Sequence, residues 1–376
     1  MEEDSEDVAV YQAILKNLKI LSRVFWSFPL TSLSKYISGT NYITTSKLEI
    51  SLTIFALFSF VLILYHCCEL LRRFLRKFYP VRLRKLLLIN SADLLKDRDS
   101  WEFINENCGV YAIKGRRPRM EDRFSVISDK ESGISMYGIF DGHGGDFAAE
   151  FVEKHLFKEL LKKLQAVVKK EVKKEPYNLT NEFVELLTKG ILDVDLELLV
   201  KVKASRDVAG TTALVAVVYK NKLIVANVGD SRGVICDSKG NTVPLSFDHK
   251  PDQLKERRRI REAGGFISFN GVWRVAGILA TSRALGDFPL KDRNLVIARP
   301  DILTFDLADL NPQFMILATD GLWDTFSNED AVAFVKDHIQ SDLYKGARSL
   351  ALQAHKNGSM DNITVLVASF SNITSS

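Results

Sequence analysis

No zinc-type spacing of cysteine and histidine, no glycine-rich Walker loop and no internal repeat occurs in the sequence. Structural zinc sites, nucleotide-binding phosphate loops and solenoid folds are thereby excluded. Cysteine is scarce: Cys67, Cys68, Cys108 and Cys236 are the only four, without framework spacing, as in a reduced, cytosolic catalytic region. Charge of one sign is also in short supply. The formal net charge is only +4 across 376 residues, and most of the basic excess lies near the N-terminal third. That argues for a local acidic-surface partner and against nucleic acid, as does the lack of a basic channel interleaved with aromatics further along. What is present is 46% hydrophobic and 26% charged residues, the mix of a globular protein with room for one large or two ordinary domains.

Residues 1–49 read as a tail. Within it Ile14, Leu15, Leu18, Leu21, Val24, Phe25 and Phe28 recur at helical spacing, with Lys16, Lys19 and Arg23 between them. Such a helix lies either in a membrane interface or against the protein. Ile50 to Cys68 holds no Asp, Glu, Lys or Arg over 19 residues. That is close to the roughly 20 needed to cross a bilayer, and the run reads as a transmembrane helix. Seven basic residues follow between Leu70 and Leu88, against only Lys35 and Lys47 in the comparable stretch before the run. The positive-inside rule then puts the rest of the chain in the cytosol, and the basic juxtamembrane linker, 69–106, attracts headgroups of the lipid bilayer. Its last part, 90–106, reads as a polar linker leading into the globular region. His66-Cys67 with Arg73 matches the string used by cysteine-dependent phosphatases. That chemistry needs a glycine-bearing loop at a helix N-terminus, so the match is set aside.

The globular region spans 107–370, with a short tail at 371–376. Strands are expected at Val110–Ile113, Phe124–Ser128 and 136–140, then helices over 146–166 and 180–203 with a lysine-rich loop, Lys169 to Lys174, between them. Thr211–Tyr219 and Lys222–Val228 are β-branched runs joined at Lys220-Asn221, a hairpin pattern. Further strands are expected at 234–236, 242–245, 266–269, 295–298, 301–306, 314–318 and 363–370. A charged helix fills Gln253–Ala263, and the capping box Ser327-Asn-Glu-Asp330 starts another. Many strands with helices grouped between them indicate an α+β fold, sheet packed on sheet with helices outside.

Acids mark the strand ends. Glu121, Asp141, Asp230, Asp320 and Asp361 each fall at a strand edge or tip, mostly beside glycine. One acid in such a place is ordinarily a turn residue or a helix cap; five in one cleft would repel strongly unless cations neutralised them. Oxygen-only ligands select Mg2+ or Mn2+ over Zn2+.

Seven segments now fall into a known order: Arg117-Pro-Arg-Met-Glu-Asp122, Phe140-Asp-Gly-His-Gly-Gly145, Ala209-Gly-Thr-Thr212, Asn227-Val-Gly-Asp-Ser-Arg232, Ser282-Arg-Ala-Leu-Gly-Asp287, Asp320-Gly-Leu-Trp-Asp324 and Asp361-Asn362. In them the chain resembles the metal-dependent type 2C serine/threonine protein phosphatases. The resemblance implies a central β-sandwich of two antiparallel sheets flanked by helices, a four-layer αββα arrangement, here preceded by the transmembrane helix. It implies Asp141 as a bridging ligand between two Mg2+ or Mn2+ ions, Asp320 and Asp361 completing one site, and Glu121 with the Gly142 carbonyl completing the other. Asp230, with Asp320, corresponds to a weaker third site. Asp122 would hydrogen-bond water at the metals, Arg117 would bind phosphate, and His143 would be the general acid. The segment 266–290 corresponds to a flap beside the active site. Partners implied are phosphorylated proteins, stress-signalling kinases among them, and the location implied is the endoplasmic reticulum membrane. A membrane-tethered pseudophosphatase that binds phosphoproteins is the alternative reading.

Overall fold

The computed structural model describes residues 100–170, 176–339 and 342–370. The amphipathic segment, the apolar run Ile50–Cys68, the basic collar and part of the lysine-rich loop lie outside the described residues. Among the described residues no helix is long and apolar enough to cross a membrane.

Alternation along the strands dictates the layering. In β4 (Ile134–Phe140) every residue is buried, yet the two faces go to different places. Ile134, Met136 and Phe140 join one apolar cluster, and Tyr137 and Ile139 another. β7 (Ala213–Tyr219) does the same, with Val215 and Val217 on one face and Leu214, Ala216 and Val218 on the other. Strands buried on both faces require a layer above and a layer below. β3 (Arg123–Asp129), β8 (Lys222–Val228) and β14 (Asp301–Asp306) complete this sheet in the order β14-β8-β7-β4-β3, all antiparallel.

The second sheet has six strands: β1 (Ser100–Asn105), β2 (Cys108–Ile113), β9 (Arg232–Cys236), β10 (Thr242–Pro244), β15 (Phe314–Ala318) and β16 (Ile363–Ser369), ordered β1-β2-β16-β15-β9-β10. Met315, Leu317, Leu366 and Ala368 face the first sheet; Ile316, Ala318, Val365 and Val367 face outward onto helices. Helices α1 (Phe147–Val168) and α2 (Pro176–Ser205) cover the five-stranded sheet. α7 (Asn328–Ile339) and α8 (Leu343–Lys356) cover the six-stranded one. The layers are therefore helix, sheet, sheet, helix, as expected.

Smaller elements decorate the rim of the sandwich. β5 (Gly142–His143), β6 (Gly210–Thr211) and β13 (Leu285–Gly286) form a three-stranded miniature sheet, and β11 (Ile267–Asn270) pairs with β12 (Val272–Val275) as a hairpin. α3 (Leu254–Glu262), α4 (Phe288–Lys291), α5 (Leu307–Leu310) and α6 (Asp320–Trp323) are short. Ile260, Val275, Leu279, Leu290 and Val296 give the hairpin region an apolar cluster of its own. At the start of α7 Ser327 caps the helix: its Oγ accepts the Asp330 N–H at 3.1 Å and donates to Asp330 Oδ2 at 2.7 Å.

Two expectations need correction. The stretch read as a polar linker, 90–106, ends in strand β1, paired with β2 from Ser100↔Ile113 to Asn105↔Cys108. As an edge strand it leaves Trp101 and Ile104 exposed, which blurred its alternation. The strand expected at 295–298 does not form; only an isolated bridge, Arg283↔Ile297, is made there. Arg259 takes the Asn294 and Leu295 carbonyls with its guanidinium, so those acceptors are no longer offered to a neighbouring strand.

Candidate functional site

Antiparallel pairing sets the N-terminal ends of some strands beside the C-terminal ends of others. Arg123 at the start of β3 lies opposite Phe140 at the end of β4, and Val365 near the start of β16 lies opposite Ala318 at the end of β15. Glu121, Asp141, Asp320 and Asp361 consequently come out on one rim of the sandwich, and Asp230 joins them from the end of β8. All five, with Gly142, Arg117 and His143, line a single cavity of about 880 Å³. Of the residues singled out in the sequence, only Asp122 is absent from its walls.

Hydrogen bonds lock the loops that carry these acids. The Asp141 N–H donates to Thr212 Oγ1 at 3.0 Å and the Asp141 carbonyl accepts from the Thr212 N–H at 2.9 Å. Thr212 Oγ1 is also 2.8 Å from Ser231 Oγ, tying the Asp141 turn to the Asp230 turn. Asn362 is a clamp. Its amide donates to the carbonyls of Lys114 and Arg119 at 2.8 and 2.9 Å and accepts the Glu121 N–H at 2.8 Å, fixing the loop that bears Arg117 and Glu121. Gly321 permits the closest approach: a Cβ there would stand 2.0 Å from the Asn362 carbonyl oxygen, so no other residue lets Asp320 sit against the Asp361-Asn362 turn.

Electrostatics at the rim are those of crowded anions. Burial, and then the charges of Asp320, Asp122, Asp230 and Asp361, push the Asp141 carboxyl well above the ordinary carboxylate range. Asp320 is raised in the same way by burial, Asp230, Asp361 and Asp324. Two side chains partly answer this charge. Arg117 Nη2 lies 2.5 Å from Asp361 Oδ2, and Lys250 Nζ lies 2.5 Å from Asp230 Oδ2. Burial lowers the Lys250 pKa, but Asp230 more than offsets it and leaves the ammonium harder to deprotonate than an ordinary lysine.

Among the described residues no three His, Cys, Asp or Glu side chains stand close enough, as placed, to hold a metal ion. The donors nonetheless suit a hard divalent cation in type and charge: carboxylates and a carbonyl in one cleft, with Asp141 and Asp320 bearing the marks of uncompensated like charge. Ligation would require Arg117 and Lys250 to release Asp361 and Asp230.

Asp122 sits beneath this rim, 3% exposed. Its Oδ2 accepts from Thr319 Oγ1 at 2.9 Å and Thr364 Oγ1 at 2.8 Å, which staples the start of β3 to β15 and β16. Burial raises its pKa to about 7, against the opposing pull of those two hydroxyls. His143 Nε2 lies 2.8 Å from Asp287 Oδ2. Burial lowers the His143 pKa, but the Asp287 charge and hydrogen bond reverse the sign and leave it raised.

Sequence reasoning missed Lys250, the Thr319–Thr364 pair and the partnership of Asp287 with His143. Asp287 lay within a quoted segment without a role; Lys250 had no local signal at all. The segment 266–290, expected as a flap, forms the β11–β12 hairpin and the turn after it, and Phe269, Val272, Trp273 and Ile278 line the same cavity as the acids.

Comparison with known proteins agrees with this geometry. Residues 106–363 match the family model described as protein phosphatase 2C. The chain is 54% identical over 275 residues to protein phosphatase 1L of Bos taurus, covering 73% of this chain and 75% of that one. It is 43% identical over 270 residues to a probable protein phosphatase 2C 11 of Arabidopsis thaliana, covering 70% and 66%. The crystal structure of a serine-threonine phosphatase 2C from Toxoplasma gondii superposes with a TM-score of 0.63 at 24% identity, over 73% of this chain and 99% of that one, a likeness of fold. With the family's motifs gathered around one acidic cleft, the chain belongs to the protein phosphatase 2C family and is a serine/threonine protein phosphatase.

Proposed function

We propose that the enzyme hydrolyses phosphoserine and phosphothreonine in proteins by attack of water at phosphorus, without a phosphoenzyme, using two Mg2+ or Mn2+ ions and acting from a membrane surface. The observation that carries the catalytic reading is the convergence of Glu121, Asp141, Asp320 and Asp361 on one cavity. Asp141 would serve both ions, with Asp320 and Asp361 on one and Glu121 with the Gly142 carbonyl on the other; Asp230 and Asp320 suit a weaker third. When bound, such ions supply positive charge that acidifies water and neutralises phosphoryl oxygens.

The chain's own residues do the rest. Arg117, freed from Asp361, presents a planar fork matched to two phosphoryl oxygens. As the P–O bond breaks, its electrons pass to the serine or threonine oxygen, and His143 donates a proton there. With Nε2 engaged by Asp287, Nδ1 is the nitrogen left for that transfer. The hairpin carrying Phe269 and Trp273 lines the same cavity, where it would meet the peptide around the phosphorylated residue.

The test is turnover of a phosphoserine peptide with Mn2+. Asp141→Asn and Asp320→Asn should each lower kcat by about a hundredfold or more, while Cys67→Ser leaves it intact and EDTA abolishes it. Activity of the Asp variants in EDTA would refute the site, and a wild-type chain inactive with Mn2+ would favour the pseudophosphatase. Attachment to a bilayer, with the catalytic domain in the cytosol and the endoplasmic reticulum as its membrane, is supported by the uncharged run Ile50–Cys68 and the basic residues after it. Removing residues 1–90 should give a soluble, active protein; a fragment that still required detergent for extraction would overturn the anchor.

A further inference from the structure

The miniature sheet has one evident product. β6 pairs with β5 on one side and β13 on the other, placing Gly210 opposite both His143 and Gly286. This brings together His143 and Asp287, which lie 144 residues apart. Only glycine serves at the shared position: a Cβ on Gly210 would stand 2.1 Å from Asp287 Oδ2 and 2.4 Å from His143 Nε2.

Asp287 is held for this contact at the expense of local preferences. Its backbone is left-handed, with φ of 52°, a conformation uncommon outside glycine. It occupies the N-cap position of α4 but makes no side-chain cap hydrogen bond, although capping is what aspartate there ordinarily does. Its one side-chain hydrogen bond among the described residues goes to His143. A second layer fixes the turn. Asp195, on α2, accepts the Gly286 N–H at 2.8 Å, and Lys291 Nζ reaches Asp195 Oδ2 at 3.0 Å and the Ala284 carbonyl at 2.5 Å. The Asp287 N–H donates to the Ala209 carbonyl at 3.1 Å, completing the frame.

We propose that Asp287 is a positioning residue for the reaction: it holds the His143 ring by Nε2, so that Nδ1 faces the departing serine or threonine oxygen. The inference rests on the reading of His143 as proton donor to that oxygen. An alkoxide leaves poorly without a proton, whereas p-nitrophenolate leaves unaided, so loss of the orienting carboxylate should be felt selectively.

The experiment compares the full-length chain with its Asp287→Asn, Asp287→Glu, His143→Gln and Asp287→Asn/His143→Gln variants, in Mn2+, on a phosphoserine peptide and on p-nitrophenyl phosphate. Asp287→Asn should lower kcat on the peptide by about a hundredfold with KM little changed. Its loss on p-nitrophenyl phosphate should be at least about tenfold smaller. Asp287→Glu should recover part of the loss, and the double variant should be no worse than His143→Gln alone. Equal losses on both substrates, no loss on the peptide, or multiplying losses in the double variant would overturn the proposal. If His143→Gln shows no selective loss, the proton-donor reading falls with it; if His143→Gln is selective and Asp287→Asn is not, only the pairing falls. Histidine 15N NMR of the wild-type chain without metal gives a check independent of turnover and of variant folding. The His143 proton should reside on Nε2, and a neutral ring protonated on Nδ1 instead would sink the pairing.

Discussion

Lys250 closes on Asp230 at 2.5 Å, so a buried carboxylate of the rim is already neutralised by a side chain of the protein itself. Any divalent cation that uses Asp230 must displace that ammonium. Lys250→Gln should therefore tighten binding of the weakest ion by roughly tenfold, equivalent to about 1.4 kcal/mol. Calorimetric titration with Mn2+ reads this directly; weaker binding in the variant would show that Lys250 organises the site and does not compete for it.

Stability of the chelated protein should fall as pH rises from 5 to 8. The Asp122 carboxyl titrates at about 7 in the fold against 3.8 for an ordinary aspartate, and Asp141 and Asp320 are raised in the same way. Between those values the folded state holds more protons than the unfolded chain, so raising pH favours unfolding. His143, raised above 6.5, contributes with the same sign, being stabilising below that value and less so as pH passes through its folded one. Every tenfold difference in proton affinity between the folded and unfolded states is equivalent to about 1.4 kcal/mol. Thermal melts in EDTA across this range should show the decline, and Mn2+ should flatten it; a melting temperature that climbs with pH in EDTA would contradict the crowding of anions.

Glu256, 1% exposed, is the hub of a buried ion cluster. It takes Arg283 at 2.6 Å, Arg259 at 3.2 Å and the Ser282 hydroxyl at 3.0 Å. Glu256→Ala leaves Arg283, itself 3% exposed, short of its principal partner. Removing one member of a buried pair costs roughly 3–5 kcal/mol. Denaturant unfolding should register a loss of that order, and a change below about 1 kcal/mol would mean the pair behaves like a surface one.

Substrate contacts beyond phosphate should run through the hairpin. Phe269 and Trp273 meet edge to face at 5.3 Å, and Phe269 and Ile278 are more than half exposed beside the acids. Trp273→Ala should raise KM about tenfold for phosphopeptides with apolar residues next to the phosphoserine, the equivalent of one apolar contact. Kinetics on p-nitrophenyl phosphate should stay within about twofold; equal effects on both substrates would place Trp273 in the scaffold.

Much of this molecule was legible in the sequence because its information is local. Ile134, Met136 and Phe140 alternate with Tyr137 and Ile139, and that pattern alone demands layers on both faces of β4. Asp141, Asp230 and Asp320 stand where apolar runs meet glycine, so their place at strand ends could be read directly. What escaped is nonlocal. The neighbours of Asp122 in the chain give no hint of Thr319 and Thr364, 197 and 242 residues away, whose hydroxyls it takes. Nor do the neighbours of Arg117 in the chain announce its pairing with Asp361, 244 residues away. Strand β1 escaped for the opposite reason: an edge strand facing water on one side carries too weak a pattern to separate from a polar connector.

The order of the six-stranded sheet has a consequence for biosynthesis. β16 lies between β2 and β15, yet it is the last of the three to leave the ribosome. Until residue 369 has been translated, β2 and β15 each present an open edge, and Asp361 and Asn362 have yet to arrive beside Asp320. A nascent chain is thus prone to sticking to its neighbours through those edges. A premature stop at or before residue 361 removes the centre of a sheet along with one corner of the acidic cleft.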